Sequence, residues 1–489
     1  MSSKKAVIIG AGIAGIAAAI RLAVKGYAVE VFEANVTPGG KLAEIEKDGF
    51  RFDAGPSLLT MPQYIDELFE LAGKEPQAYF QYQKLDINCK YFYEDGTKLT
   101  AYADKALFEK EVTTVIGEPA SAIEKQIANS AKIYELTDPV FLQRAFSGLK
   151  SLFNKEGFKA LFNLGKLDTS RTMYQANQNL FKDERMVQFY DRYATYNGSN
   201  PYQAPATLNI IPHLEQHYGA YFPKEGMYSI VTNLVYLAKI LGVKFHYNST
   251  VEEIVLKGRK AIGIKIKGEV INADVVVSNM DIWFTYNKLL SAYPKLHPKK
   301  ILQQERSSSA LIFYWGINKK FVKLDLHNIF FSADYKAEFD HIWKERSIYH
   351  DPTIYLNITS KLKPRDAPPG CENWFVMINV PANTGQDWNG LINSARQNIL
   401  AKLSSLLNEN ISKLIISESV LDPRGIESKT SSYQGSIYGT SSNSKYAAFM
   451  RHGNRSSKIK NLYFVGGSVH PGGGIPLCLL SAKIVSKGL

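Results

Sequence analysis

Cysteine is scarce: the 489 residues hold three, Cys89, Cys371 and Cys478, far apart in the chain. No C-x-x-C occurs, so neither a disulfide framework nor a zinc-finger spacing is available, and a reducing compartment is the simpler expectation. Long apolar runs are missing as well. A membrane-spanning helix needs roughly 18–20 consecutive apolar residues, and the longest candidates here are interrupted by Lys or Gly. Internal repeats and low-complexity segments are also absent. Acidic residues are in deficit, 46 against 58 Lys and Arg, for a net charge of +12. That balance favours an anionic surface without saying whether it is nucleic acid or lipid. What remains, 45% hydrophobic and 21% charged residues, is an ordinary globular mix. The length predicts two or three domains at roughly 100–200 residues each.

The first positive signal is at the start of the chain. Ala6 to Ile9 reads as a strand, about Ile13 to Lys25 as a helix stopped by Gly26, and Val29 to Glu33 as a second strand. Lys4 and Lys5 before an apolar stretch resemble a signal peptide, but the second strand has no place in one. Between strand and helix stands Gly10-Ala11-Gly12-Ile13-Ala14-Gly15, the G-x-G-x-x-G dinucleotide fingerprint. Gly10 permits the tight turn, Gly12 lets a pyrophosphate approach the helix N-terminus, and Gly15 allows close helix–strand packing. Glu33 ends the next strand, where an acid accepts ribose hydrogen bonds and disfavours the 2′-phosphate of NADP.

Gly39-Gly40-Lys41 follows, then the run Phe52 to Pro62 containing Asp53-Ala54-Gly55-Pro56-Ser57-Leu58; near the other end the chain reads Asn461 to Pro476, with Gly466-Gly467-Ser468 and Gly472-Gly473-Gly474-Ile475-Pro476. With looser matches at Tyr196 to Pro201, Pro223 to Met227 and Ala273 to Asn279, the whole chain resembles the phytoene-desaturase-type bacterial carotenoid desaturases, within the amine-oxidase-like flavoproteins. The wording of Gly55 to Pro62 is closest to the 1-hydroxycarotenoid 3,4-desaturases. Lys224-Glu225-Gly226-Met227 departs from the pattern, since many relatives carry a second glycine there, and implies a local loop difference.

The resemblance implies FAD as cofactor, held by Gly10, Gly12, Ala14, Gly15, Glu33, Gly40, Lys41, Ser57, Leu58, Val251, Asn279, Gly467, Ser468, Ile475 and Pro476. Within that set Glu33 would hold the ribose, Lys41 would lie near the phosphates, Ser57 and Leu58 would line the flavin, and Val251 would meet the adenine through its backbone. Ile475 and Pro476 would bring the last helix N-terminus to the flavin's pyrimidine edge, where its dipole suits negative charge. For Asn279 a strand-end cap is a competing role. The loop Gly466 to Gly474 is no P-loop, because no G-K-[ST] follows.

The implied fold is α/β: a Rossmann-like FAD-binding domain from discontinuous segments (1–73, 223–284 and 446–489), and a mixed or antiparallel-sheet substrate domain (74–103 and 285–445). A helical substrate and membrane-contact region (104–222) completes it. Periodicity places a helix at about Ser229 to Leu241 and strands near Lys244 to Tyr247, Val251 to Leu256, Ala261 to Ile266 and Val275 to Ser278, expected to pack beside the first strands. Alternation marks strands at Ala310 to Trp315, Thr353 to Thr359 and Trp374 to Val380. From Phe141 to Lys166, Phe and Leu recur at helical spacing among Arg144, Lys150, Lys155, Lys159 and Lys166. A basic amphipathic helix of this kind either covers a core or lies in a membrane interface. A lipid-soluble substrate favours the latter, with the protein peripheral on the inner membrane face.

His213 and His217 have helical spacing, but without H-E-x-x-H or a third ligand no metal is expected. No nucleic-acid motif is present. A hydrocarbon gives acid–base chemistry no handle, so the resemblance implies hydride loss from the carotenoid to the flavin, then proton loss. Oxygen or a quinone would reoxidise the flavin. No catalytic side chain can be named. Other carotenoid desaturases, a flavin-dependent isomerase, and a non-enzymatic prenyl carrier like the GDP-dissociation inhibitors remain as alternatives.

Overall fold

The computed structural model describes residues 3–138, 168, 170–444 and 451–489. The amphipathic stretch Phe141 to Lys166 lies outside the described residues.

A five-stranded parallel sheet forms one centre, in the order Leu462–Phe464, Val275–Ser278, Lys5–Ile9, Ala28–Phe32, Lys244–His246. Its strands come from the beginning, middle and end of the chain. The central ones are short Val/Ile runs buried on both faces, as a covered parallel sheet requires. Helices Ile13–Val24, Ser229–Ile240 and Ile475–Lys487 cover one face. Asp53 joins two distant segments: its carboxylate accepts the Met227 and Tyr228 N–H groups at 2.9 and 3.1 Å, at the entry to helix Ser229–Ile240.

Two strands expected beside the first ones pair otherwise. Glu253–Lys257 and Lys260–Ile266 make an antiparallel three-stranded sheet with Glu269–Asn272, laid against the parallel sheet's other face through Ile254, Ala261 and Ile264. The cause is local: Gly258 and Gly268 take positive φ and turn each strand back on its neighbour.

A second, seven-stranded sheet runs Ile415–Leu421, Ser309–Ile317, Glu372–Val380, Ile354–Asn357, His327–Phe330, Ile87–Phe92, Lys98–Tyr102. All pairs are antiparallel except His327–Phe330 with Ile87–Phe92, so the sheet is mixed. Short helices, among them Glu184–Asp191 and Ile211–Gln216, pack near the strands 87–92 and 327–330.

Candidate active site

The glycine turn is shaped by contacts that exclude side chains. A Cβ on Gly15 would stand 2.2 Å from the Gly10 carbonyl oxygen, and one on Gly12 would stand 2.5 Å from Asn279 Nδ2. Gly10 itself has φ +92°. The helix that follows begins at Gly12 without a side-chain cap, leaving its first N–H groups directed into the site. Glu33, immediately after strand Ala28–Phe32, is buried; its carboxylate accepts the Ala11 N–H at 2.7 Å and both Asn35 donors at 2.8–2.9 Å. Ser249 N–H bonds the Glu33 carbonyl at 2.8 Å, which draws the buried Val251 to the same edge. Gly39 N–H bonds Ala11 O, and a Cβ on Gly40 would lie 3.5 Å from Gly12 Cα, so the second glycine pair abuts the first. Ala14 is buried inside the helix–sheet packing.

Asn279 follows strand Val275–Ser278 and donates its backbone N–H to Ile9 O at 2.8 Å. Its side chain lies against Gly10, Gly12, Gly15 and Gly466, and its amide makes no hydrogen bond among the described residues. A strand-end cap therefore does not describe it.

Around the last helix the charges have an unusual arrangement. Lys41 Nζ donates to Ile437 O at 2.9 Å and Ser436 O at 3.3 Å. Burial pushes its ammonium below the ordinary value, Asp281 opposing. Arg451, buried, donates to the carbonyls of Tyr438, Thr440 and Gly467 and to Asn197 Oδ1. Burial and the neighbouring Arg306 lower it to about 10. Neither cation has a carboxylate within ion-pair distance among the described residues, whereas Arg306 pairs with Asp281 at 2.5 Å. Helix Ile475–Lys487 begins at Gly474, again without a side-chain cap, with Pro476 in its first turn, where a missing N–H costs nothing. A Cβ on Gly467 would stand 3.2 Å from Gly473 Cα, so the loop ahead of that helix closes tightly on itself. Ser468 Oγ is taken up by the Ile282 N–H at 3.0 Å. Burial raises Cys478 to about 11, so it stays a neutral thiol.

Ser57 and Leu58 sit on a loop pressed against the Gly39–Lys41 turn: a Cβ on Gly55 would stand 1.8 Å from Lys41 O. Ser57 Oγ meets the Tyr355 hydroxyl at 2.7 Å, and Leu58 packs beside Leu85, Ala220, Phe222 and Leu326. From Tyr355 the bonding continues to His327 Nδ1, also at 2.7 Å. Burial, helped by Arg192, lowers His327 to about 4 and keeps it neutral. Deeper in this domain Arg192 pairs with Glu215 at 3.4 Å, and Tyr193 and Tyr196 donate to the same carboxylate at 2.8 Å. Sequence reasoning missed Arg451, His327, Tyr355, Arg192 and Glu215. Only the polar alternation of Tyr355 and Asn357 within an otherwise apolar strand could have flagged one of them. His213 and His217 stack at 4.6 Å, and no group able to hold a metal occurs among the described residues.

These residues fit an anionic dinucleotide. Two uncapped helix N-termini, a glycine turn with no room for a Cβ at Gly15, a free amide, and a half-buried lysine and a buried arginine satisfied only by neutral oxygens all suit a pyrophosphate and a flavin.

The chain belongs to the flavin-containing amine oxidoreductase family, whose model matches residues 13–489. The family's cofactor is a flavin, and the dinucleotide fingerprint makes it FAD. Among curated proteins the chain is 49% identical to a 1-hydroxycarotenoid 3,4-desaturase from Flavobacterium sp. (strain P99-3), over 99% of this chain and 98% of that one. It is 34% identical to a 4,4′-diapolycopene oxygenase from Methylomonas sp., over 99% and 97%. Among solved structures, an oxidoreductase from Methanosarcina mazei superimposes with a TM-score of 0.64 at 16% identity, covering 99% of this chain and all of that one, which shows the shared fold.

Proposed function

We propose that this protein is an FAD-dependent desaturase that introduces a C-3,4 double bond into the 1-hydroxylated end of an acyclic carotenoid. The observation that carries it is the full-length 49% identity to an enzyme of that description. When bound, the flavin supplies the two-electron acceptor for the two hydrogens removed. The chain's own residues bind and orient. Gly10, Gly12, Ala14 and Gly15 would present the first helix to the pyrophosphate, with Gly40 and Lys41 beside it, and Glu33 would hold the ribose with Val251 at the adenine. Asn279, Gly467 and Ser468 would shape the floor, Ser57 and Leu58 would line the ring, and Ile475 and Pro476 would bring the last helix dipole to its pyrimidine edge. Burial-neutralised Cys478, His327 and His452, the last also lowered to about 4, leave no charged base among those side chains. The chain would reach its lipid-dissolved substrate as a peripheral protein on an anionic membrane face, through residues 139–166, and pass electrons to oxygen or a quinone.

The test offers FAD-loaded protein in lipid vesicles the 1-hydroxylated carotenoid and phytoene, following mass and absorption. The expected product is two hydrogens lighter and absorbs at longer wavelength. Preference for phytoene would move the protein to another desaturase branch, and a coloured product of unchanged mass would make it an isomerase.

A further inference from the structure

His327 is one of several buried polar groups whose hydrogen bonding is complete on one side and incomplete on the other. It is 3% exposed, on strand His327–Phe330, opposite Asn357. Asn357 Nδ2 donates to Leu326 O at 3.1 Å, which orients that amide, and lies 3.2 Å from His327 Nδ1. A donor facing Nδ1, with the Tyr355 hydroxyl also 2.7 Å from it, makes Nδ1 the acceptor. The ring proton is then on Nε2, a tautomer assigned from the network. Nε2 has no partner among the described residues. A buried donor without a partner is a standing cost that a ligand oxygen can remove.

The position is as informative as the vacancy in its bonding. One tyrosine hydroxyl separates His327 from Ser57, on the loop that abuts the Gly39–Lys41 turn and so the nucleotide site. In a 1-hydroxylated chain, bonds of roughly 1.5 Å put the oxygen within about 5 Å of C-4. Any group that recognises that hydroxyl must therefore lie beside the reacting bond and not at the remote end of a tunnel. Nearby, Arg192 pairs with Glu215 and donates to Tyr196, and Tyr193 and Tyr196 donate to Glu215, while the Tyr91 hydroxyl and Arg192 Nε, like His327 Nε2, have no partner among the described residues.

We propose that the Nε2–H of His327 donates to the oxygen of the substrate's hydroxyl group, with Tyr355, Asn357 and Ser57 holding the ring for it. This rests on the desaturase reading above. A site built to hydrogen-bond a hydroxyl discriminates strongly against the analogue lacking it, because the protein donor is then stranded.

The test uses FAD-loaded holoenzyme in vesicles and two substrates, the 1-hydroxylated acyclic carotenoid and the same chain without the hydroxyl. Wild type should favour the hydroxylated one. In His327→Phe, kcat/KM for that substrate should fall about tenfold or more while the hydroxyl-free chain changes little, so the ratio collapses. His327→Gln, which keeps an N–H donor, should retain part of the preference, and Tyr355→Phe should lower it by loosening the ring. Flavin absorbance reports folding, and if the Phe variant loses it, the ratios of the other two variants decide. Equal losses on both substrates, or an unchanged ratio in Tyr355→Phe and His327→Phe alike, overturn the role of His327 while leaving the desaturase intact. Turnover of neither substrate by wild type overturns the desaturase reading and this one with it.

Discussion

At Gly15 one missing methyl group decides whether helix and strand can meet. Its hypothetical Cβ would strike the Gly10 carbonyl, backbone that cannot step aside, whereas at Gly12 the obstacle is the movable amide of Asn279. Such demands are local, so the glycine turn and Glu33 are legible in sequence. Glu338 is not, because its environment comes from across the fold. Its carboxylate accepts the Thr353 N–H at 3.0 Å and the Thr353 hydroxyl at 2.6 Å, and burial raises it from 4.5 to about 7. With the folded value above the unfolded one, the neutral acid is what the fold favours. Stability from this group is complete below pH 4.5 and is lost as pH rises through 7. Glu338→Gln should therefore gain on wild type, by a difference on the order of 3 kcal/mol between those limits. Urea unfolding at pH 4.5, 6 and 8 measures it; a wild-type-minus-variant difference flat with pH would remove the group from the account.

Elements announce themselves when they are long or strictly periodic, and this chain shows where that stops. The nine-residue strands Ser309–Ile317 and Glu372–Val380 are visible as apolar runs, while His327–Phe330, four residues long and paired in parallel to a strand from far earlier in the chain, is not. The turn Arg192–Asn197 and helix Ile211–Gln216 have only six residues each, and what joins them is a buried pair, Arg192 with Glu215. Rings of Tyr91, Tyr193 and Tyr196 stand 4.3–5.1 Å from the guanidinium. Removing one partner of a buried pair leaves a stranded charge, typically at about 3–5 kcal/mol. Glu215→Gln should cost in that range and lower the urea midpoint. Arg192→Met combined with Glu215→Gln should recover part of the loss, since no unpaired ion then remains. A single-variant cost below about 1 kcal/mol would show the aromatic faces alone sustain the arginine.

At the scale of the whole molecule, the parallel sheet draws on three separated parts of the chain, and that too was legible, because the motifs at Gly10, Val275 and Leu462 each sit on or beside one of its strands. Charge is the other whole-molecule property. The excess of +12 is too general to name a partner, but Arg144, Lys150, Lys155, Lys159 and Lys166 gather with Phe and Leu in one stretch. A basic apolar segment adds two terms to membrane affinity: about 1 kcal/mol per basic residue near an anionic surface, and burial of its apolar side chains. The first is screened within a Debye length of about 8 Å at physiological salt, and the second is not. Vesicles with anionic lipid should therefore retain the protein, with retention falling as salt rises to a residual set by Phe and Leu. Reversing those five charges should abolish the salt-sensitive part and leave the flavin absorbance unchanged. Retention identical to wild type at every salt concentration would place the membrane contact on another basic face of the molecule.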